Sequence, residues 1–374
     1  MGYNNAVLTI TDISTPDPHV TFSHGVYHLV YTAGDRVEIW SSQDLLQLGQ
    51  TCKKTTLWRP PPNTPYSADI WAPELHALNG RWYIYVACAD PQHGNKSHRM
   101  YVLGGPSAND DPNGDYEMLG PIAGLPSTQW QIDGTVFPLN NRLYLAYSGW
   151  PLEQLDASEK CQELFIVELS DPTTAVSRPV QICAPHEPWE RSGDSGVNEG
   201  PQFLSSPHGN WTGLAYSCAG SWTKDYKMNT LYYTGGDPLS CSSWHKSRRP
   251  LIQNSGNGRA GPFGPGHGSF VNVHGETWAV YHATDREDQG WDGRKARVQR
   301  VLWGSEGPEM GGCVGTLVGD SGAFISGIGC ESSSGGQGHG HGHGQGGGEG
   351  HGKKHGMQEI KNIMKEAKGF LKNL

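Results

Sequence analysis

A short aromatic-rich strand pattern recurs five times along these 374 residues, and no other feature restricts the possible folds as strongly. The copies are Gly25-Val-Tyr-His-Leu-Val-Tyr-Thr32, Gly80-Arg-Trp-Tyr-Ile-Tyr-Val86, Asn141-Arg-Leu-Tyr-Leu-Ala-Tyr-Ser148, Gly209-Asn-Trp-Thr-Gly-Leu-Ala-Tyr-Ser217 and Gly275-Glu-Thr-Trp-Ala-Val-Tyr-His282. Their first residues stand 55, 61, 68 and 66 residues apart. A second apolar strand follows each one: Val37-Glu-Ile-Trp40, Met100-Tyr-Val-Leu103, Leu164-Phe-Ile-Val167, Leu231-Tyr-Tyr233 and Val298-Gln-Arg-Val-Leu-Trp303. β-Branched and aromatic residues bounded by Gly, Pro, Asn and Asp favour extended chain. A unit of this length holds about four short strands, the size of one propeller blade. The pattern predicts an all-β fold, a five-bladed β-propeller over residues 1–330. Ala6-Val-Leu-Thr-Ile10 is expected to join the last blade and cover its edge. A two-sheet sandwich would explain the strands but not their fivefold period.

What precedes each copy carries the chemistry. Asp17, Asp133 and His267 each lie eight residues ahead of their copy, and Glu199 lies ten ahead of its own, before a longer Ser-Ser-Pro-His turn. In the second unit Trp71 stands nine ahead and Glu74 six ahead. The innermost strands of a propeller line its central channel, so equivalent positions converge at one mouth. Taken singly, Asp17-Pro18 and Asp133-Gly134 read as turn starts, Glu199 as a solvated loop residue, and His267 as a partner for backbone groups. Their shared register favours the joint reading: three carboxylates and a histidine at one site.

Clustered carboxylates without a Ser or Cys nucleophile motif suit glycoside cleavage, in which one carboxyl protonates the leaving oxygen and another activates water. The 13 Trp can supply aromatic platforms for sugars, although most are expected in the core. A net charge of −9, with no basic block in the first 330 residues, argues against a nucleic-acid partner. The 52 Gly and 25 Pro suit turns rather than long helices. No apolar run reaches the about 18 residues of a membrane-spanning helix.

In chain order, Thr15-Pro-Asp-Pro-His-Val20, Ile70-Trp-Ala-Pro-Glu-Leu-His76, Gln131-Ile-Asp-Gly-Thr-Val-Phe137, Asn198-Glu-Gly-Pro-Gln202, Gly266-His-Gly-Ser-Phe-Val271 and Gly293-Arg-Lys-Ala-Arg-Val-Gln299 resemble the successive motifs of glycoside hydrolase family 43. The resemblance implies a five-bladed propeller that acts with inversion on arabinofuranosides or xylosides. It implies Asp17 as general base, Glu199 as general acid, and Asp133 as the neighbour that raises and steadies the acid. Trp71 would flank the sugar, and Arg294 would hold sugar hydroxyls or fix a carboxylate. His267 would contact a central calcium ion through water, the chemistry itself needing no cofactor. Asp69, Glu74 and Arg297 are expected as structural support. The Ser67–His76 stretch, the Trp189–Gly200 loop and a single catalytic domain look most like exo-α-L-arabinofuranosidases that trim 1,5-linked arabinan, a plant cell-wall polysaccharide. Within the family the alternatives are β-xylosidase and endo-arabinanase; outside it, a carbohydrate-binding propeller without catalysis.

Eight cysteines without CxxC spacing, and sequons at Asn95 and Asn210, favour a secreted, disulfide-bonded glycoprotein, with Cys313 and Cys330 a plausible local pair. Met1-Gly2-Tyr3 opens no leader, so a mature or trimmed start is expected. Residues 331–356 form a Gly/Ser/His-rich linker with too little apolar surface to fold alone. Residues 357–374 carry Ile360, Ile363, Met364, Ala367, Leu371 and Leu374 at helical spacing opposite four lysines, which predicts a short amphipathic helix.

Overall fold

A computed structural model describes residues 7–152, 158–254 and 262–310. The linker and terminal helix expected over residues 331–374, and Cys313 and Cys330, lie outside the described residues.

All ten strands anticipated from the repeats are present. They fall into five consecutive antiparallel groups, each opened by a strand that the repeats did not define. The first group runs His19–Ser23, Val26–Val30, Val37–Ser42 and Lys53–Trp58, and the second Ala68–Leu78, Arg81–Ala89, Arg99–Ser107 and Glu117–Pro121. The third runs Gln131–Leu139, Arg142–Gly149 and Cys161–Asp171, with Val180–Cys183 outermost. The fourth runs Ser195–Ser205, Thr212–Cys218, Lys227–Tyr233 and Trp244–Lys246; a short parallel pairing, Cys161 with Gly196 and Gln162 with Val197, joins it to the third. The fifth runs Phe263–Val273, Glu276–Thr284 and Lys295–Gly304, and Leu8–Thr9 adds to its outer edge, Leu8 opposite Val298. The chain start thus covers an edge strand that would otherwise offer unpaired backbone groups.

The middle strands of each group are apolar on both faces because both are covered. Five clusters of buried side chains lie between groups. One joins Tyr27, Leu29 and Trp40 of the first to Val271, Trp278 and Val298 of the fifth. The others join first to second, second to third, third to fourth and fourth to fifth. The opening strands are buried as well, yet carry polar residues: His19, Glu74, Asp133, Asn198, Glu199, Gln202, His267 and Ser269. Hydrogen bonds between neighbouring groups hold the opening strands together, although the buried Asn198 Oδ1 has no partner. Ser269 Oγ accepts the Val20 N–H (2.9 Å) and donates to Pro18 O (3.0 Å), Ser148 Oγ donates to Asn198 O (3.0 Å), and Ser217 Oγ accepts the His267 N–H (2.7 Å).

The cysteines depart from expectation. Cys52, Cys88, Cys161, Cys183, Cys218 and Cys241 are all unpaired thiols, so the described residues contain none of the anticipated disulfides. Cys88, Cys183 and Cys218 instead fill buried positions as small apolar side chains.

Candidate active site

One backbone irregularity, repeated in every group, builds the site. Asp17, Ala72, Asp133, Gly200 and His267 all have left-handed backbones, with φ of 55°, 41°, 56°, 56° and 45°. In the four later opening strands the pairing with the next strand slips across this residue: between Trp71 and Glu74, Ile132 and Thr135, Glu199 and Gln202, and Gly266 and Ser269. A bulge of this kind breaks the alternation of a strand, so adjacent side chains reach one side. Ile132 and Asp133 accordingly line the same pocket. A non-glycine residue costs about 1–3 kcal/mol in this backbone region, which the surrounding sheet must offset.

The bulge also corrects the register. The left-handed residues precede their repeat by eight positions, or nine for Gly200, so the longer turn of the fourth unit adds one residue rather than two. Glu199 stands one position before the Asp17, Asp133 and His267 level and shares its place with Trp71. The true second-unit counterpart of the aspartates is Ala72, which has no chemistry to advertise.

All six anticipated site residues come together. Asp17, Trp71, Asp133, Glu199, His267 and Arg294 line one pocket of about 610 Å³ with Thr32, Trp130, Trp222 and Trp291. Asp17 Oδ2 accepts the Thr32 hydroxyl (2.7 Å), and Oδ1 faces Arg294 Nη1 (3.4 Å) and His267 Nδ1 (3.3 Å). The Asp17 N–H donates to His282 Nδ1 (3.0 Å). Burial alone would raise this carboxyl, but Arg294, joined by His267, outweighs it and holds it well below the usual range. Glu199 has the opposite setting: burial pushes it up to about 7, with the Asp17 charge adding to the rise, while the Tyr226 hydroxyl bonded to Oε1 (2.8 Å) and Arg294 oppose it. Asp133 accepts the Gly200 N–H (3.0 Å), and is raised by burial and by the Glu199 and Asp17 charges. It therefore touches the backbone beside Glu199 rather than its carboxyl. An ionised carboxylate and a carboxyl kept protonated within one pocket are what a general base and a general acid require.

The sequence profile described as Glycosyl hydrolases family 43 matches residues 3–308. The chain belongs to that family. An extracellular exo-alpha-(1->5)-L-arabinofuranosidase of Streptomyces avermitilis is 33% identical over 312 residues, covering 79% of this chain and 61% of that protein. Its namesake from Streptomyces chartreusis is 31% identical over 284 residues, covering 71% and 79%. The crystal structure of an alpha-L-arabinofuranosidase from Lactobacillus brevis superposes with a TM-score of 0.71 at 28% identity, covering 82% of this chain and 97% of that one. The chain spans about three fifths of the first relative's length.

Several residues in or behind this family 43 pocket were given no role by the sequence: Thr32 lines it, and Tyr226 and His282 support Glu199 and Asp17 from behind. Thr32, Tyr226 and His282 lie outside the quoted motifs, and position them only when the groups pack. Thr32 Oγ1 also accepts the Ala72 N–H (2.7 Å), tying the first group to the second. His282 is fully buried, stacks on Tyr226 with rings 5.6 Å apart and is pushed down to about 4 by burial, so it stays neutral. Trp71 rests on His98, the rings stacked at 3.9 Å.

Deeper in the opening strands His19, Glu74 and His76 bring ligand atoms within 4.8 Å of one another. His76 Nε2 lies 2.9 Å from Glu74 Oε2, and Gln202 Nε2 donates to Glu74 Oε1. His19 Nδ1 accepts the Leu75 N–H (3.3 Å), which leaves its ring proton on Nε2. Two imidazoles and one carboxylate offer few of the six to eight oxygens that calcium takes. Any calcium near His267 would draw most of its ligands from water.

Proposed function

We propose that this family 43 chain is a secreted, inverting exo-α-L-arabinofuranosidase that releases terminal arabinofuranosyl units from 1,5-linked arabinan. One observation carries the reading: Asp17 is held ionised by Arg294, joined by His267, in the same pocket where burial pushes Glu199 up to about 7. In this mechanism Glu199 gives its proton to the glycosidic oxygen as the C–O bond breaks. Asp17 takes a proton from a water that attacks the anomeric carbon from the opposite face, and solvent exchange resets both groups. Arg294 fixes the base, Asp133 orients the acid through the Gly200 backbone, and Trp71 packs against the sugar. The linkage and exo action are supported by the names of the two Streptomyces relatives.

The same reading arranges the five groups as blades of a closed propeller. Its support is the cyclic contact of the opening strands, His19–Ser23 touching both Ala68–Leu78 and Phe263–Val273, together with Leu8–Thr9 in the fifth group. A structural calcium reached from His267 through water belongs to it too, and no step runs through the ion. Secretion is supported by relatives named extracellular and by the exposure of Asn95 and Asn210.

Proton NMR of early turnover with an α-linked substrate should show β-arabinofuranose first, whereas α-arabinofuranose appearing first would overturn inversion. The pH profile is a second check. Glu199 must be protonated to act, so kcat/KM should hold through weak acid and fall about tenfold per pH unit above pH about 7. A limb rising through that range would assign the acid elsewhere. Tyr226→Phe removes a hydrogen bond that favours the ionised Glu199, so its alkaline limb should move upward. A limb left in place would show that the hydroxyl does not tune the acid.

A further inference from the structure

Among the described residues seven large apolar side chains are exposed, and two are tryptophans: Trp222 at 39% and Trp291 at 59%. Both lie on the pocket that holds Asp17 and Glu199. Their rings meet edge to face, with centroids 5.9 Å apart at 68°. Exposed aromatic surface of this size usually folds away or meets a partner.

The corner they form is held from behind. Trp291 Nε1 donates to Ser221 Oγ (3.2 Å), and its carbonyl accepts from Arg294 Nε (3.0 Å). Trp222 lies flat over Gly220, where a Cβ would come within 2.6 Å of the ring. Both rings are therefore placed before any ligand arrives, which spares a ligand the cost of ordering them.

Its position relative to Glu199 assigns its occupant. Trp222 belongs to the segment between strands Thr212–Cys218 and Lys227–Tyr233, and that segment also brings Tyr226 to Glu199. A general acid stands beside the leaving oxygen, so side chains carried with it face the part of the substrate that departs. We propose that Trp222 and Trp291 form the subsite for the first sugar on the leaving side of the cleaved bond, one face of that sugar packed by its C–H groups on an indole. The proposal rests on the glycosidase reading of the same pocket. A neutral sugar ring fits this corner because both indoles offer apolar faces, and the one indole N–H with an assigned partner, that of Trp291, is already bonded to Ser221.

The test compares α-1,5-arabinotriose, which has a sugar beyond the cleaved bond, with methyl α-L-arabinofuranoside, which has none. In Trp291→Ala and Trp222→Ala the ratio of kcat/KM for the triose to that for the methyl glycoside should fall about tenfold, mainly through KM for the triose. Trp291→Phe should restore most of the ratio. A ratio that stays at the wild-type value in both alanine variants overturns the proposal, however far the two activities drop together. If the wild type cleaves neither compound, the arabinofuranosidase reading fails separately. Titration with arabinotriose and xylotriose, followed by isothermal calorimetry, then decides the subsite: saturable binding weakened about tenfold or more in the double alanine variant upholds it, and binding unchanged in that variant, or no binding to the wild type, overturns it.

Discussion

Glu199→Gln should slow release of arabinose from α-1,5-arabinotriose by about 10³-fold, within the range expected for loss of a general acid. Glutamine keeps the size of the side chain and can still accept the Tyr226 hydroxyl, but it has no proton to give. The size of the loss should depend on the leaving group. A 2,4-dinitrophenyl arabinofuranoside departs without protonation, so the same variant should lose less than about tenfold on it. The alkaline limb near pH 7 should disappear with the carboxyl that causes it. Equal losses on both substrates, with the limb retained, would remove Glu199 from the acid's role.

Asp17→Asn should behave differently. The base acts on water whatever the leaving group is, so activity should drop by at least about 10³-fold on both substrates. The amide can keep a hydrogen bond to Thr32, while Arg294 and His267 lose the charge they face. A small anion such as azide needs no base, and should restore turnover of the dinitrophenyl substrate with formation of the inverted glycosyl azide. Recovery of that kind would separate lost chemistry from lost folding. Near-normal activity without azide would end the proposed mechanism.

The parts of the molecule that were legible in the sequence are those where one residue type has one use. The second and third strands of each group are buried on both faces, so their Val, Leu, Ile, Tyr and Trp runs mark them without ambiguity. The opening strands line a polar interior and carry Gly, Pro and His, which resemble loops in composition, and only their offset from the repeat betrayed them. That offset located Asp17, Asp133 and His267 because a left-handed bulge recurs at a constant distance from the hairpin. It missed Ala72, whose role is carried entirely by its backbone, and misjudged Glu199 by one position. Tyr226, His282 and Thr32 were invisible for another reason: each acts through a partner in a distant segment, and nothing local distinguishes them from core residues. The six described cysteines misled because an even count is as compatible with buried thiols as with bridges.

The seam between the two ends of the described chain has a consequence for heat tolerance. Leu8–Thr9 lies against Lys295–Gly304, Thr15 N–H donates to Arg294 O (2.8 Å), and Ala296 N–H donates to Thr15 Oγ1 (3.0 Å). Arg294 is itself part of this stitch, and Asp17 stands two residues beyond Thr15. A brief parting of the seam on warming would draw the guanidinium from the carboxylate while the other four groups stayed packed. Catalytic failure should then run several degrees ahead of bulk melting and reverse on cooling, as in a clasp that springs before the band it closes gives way.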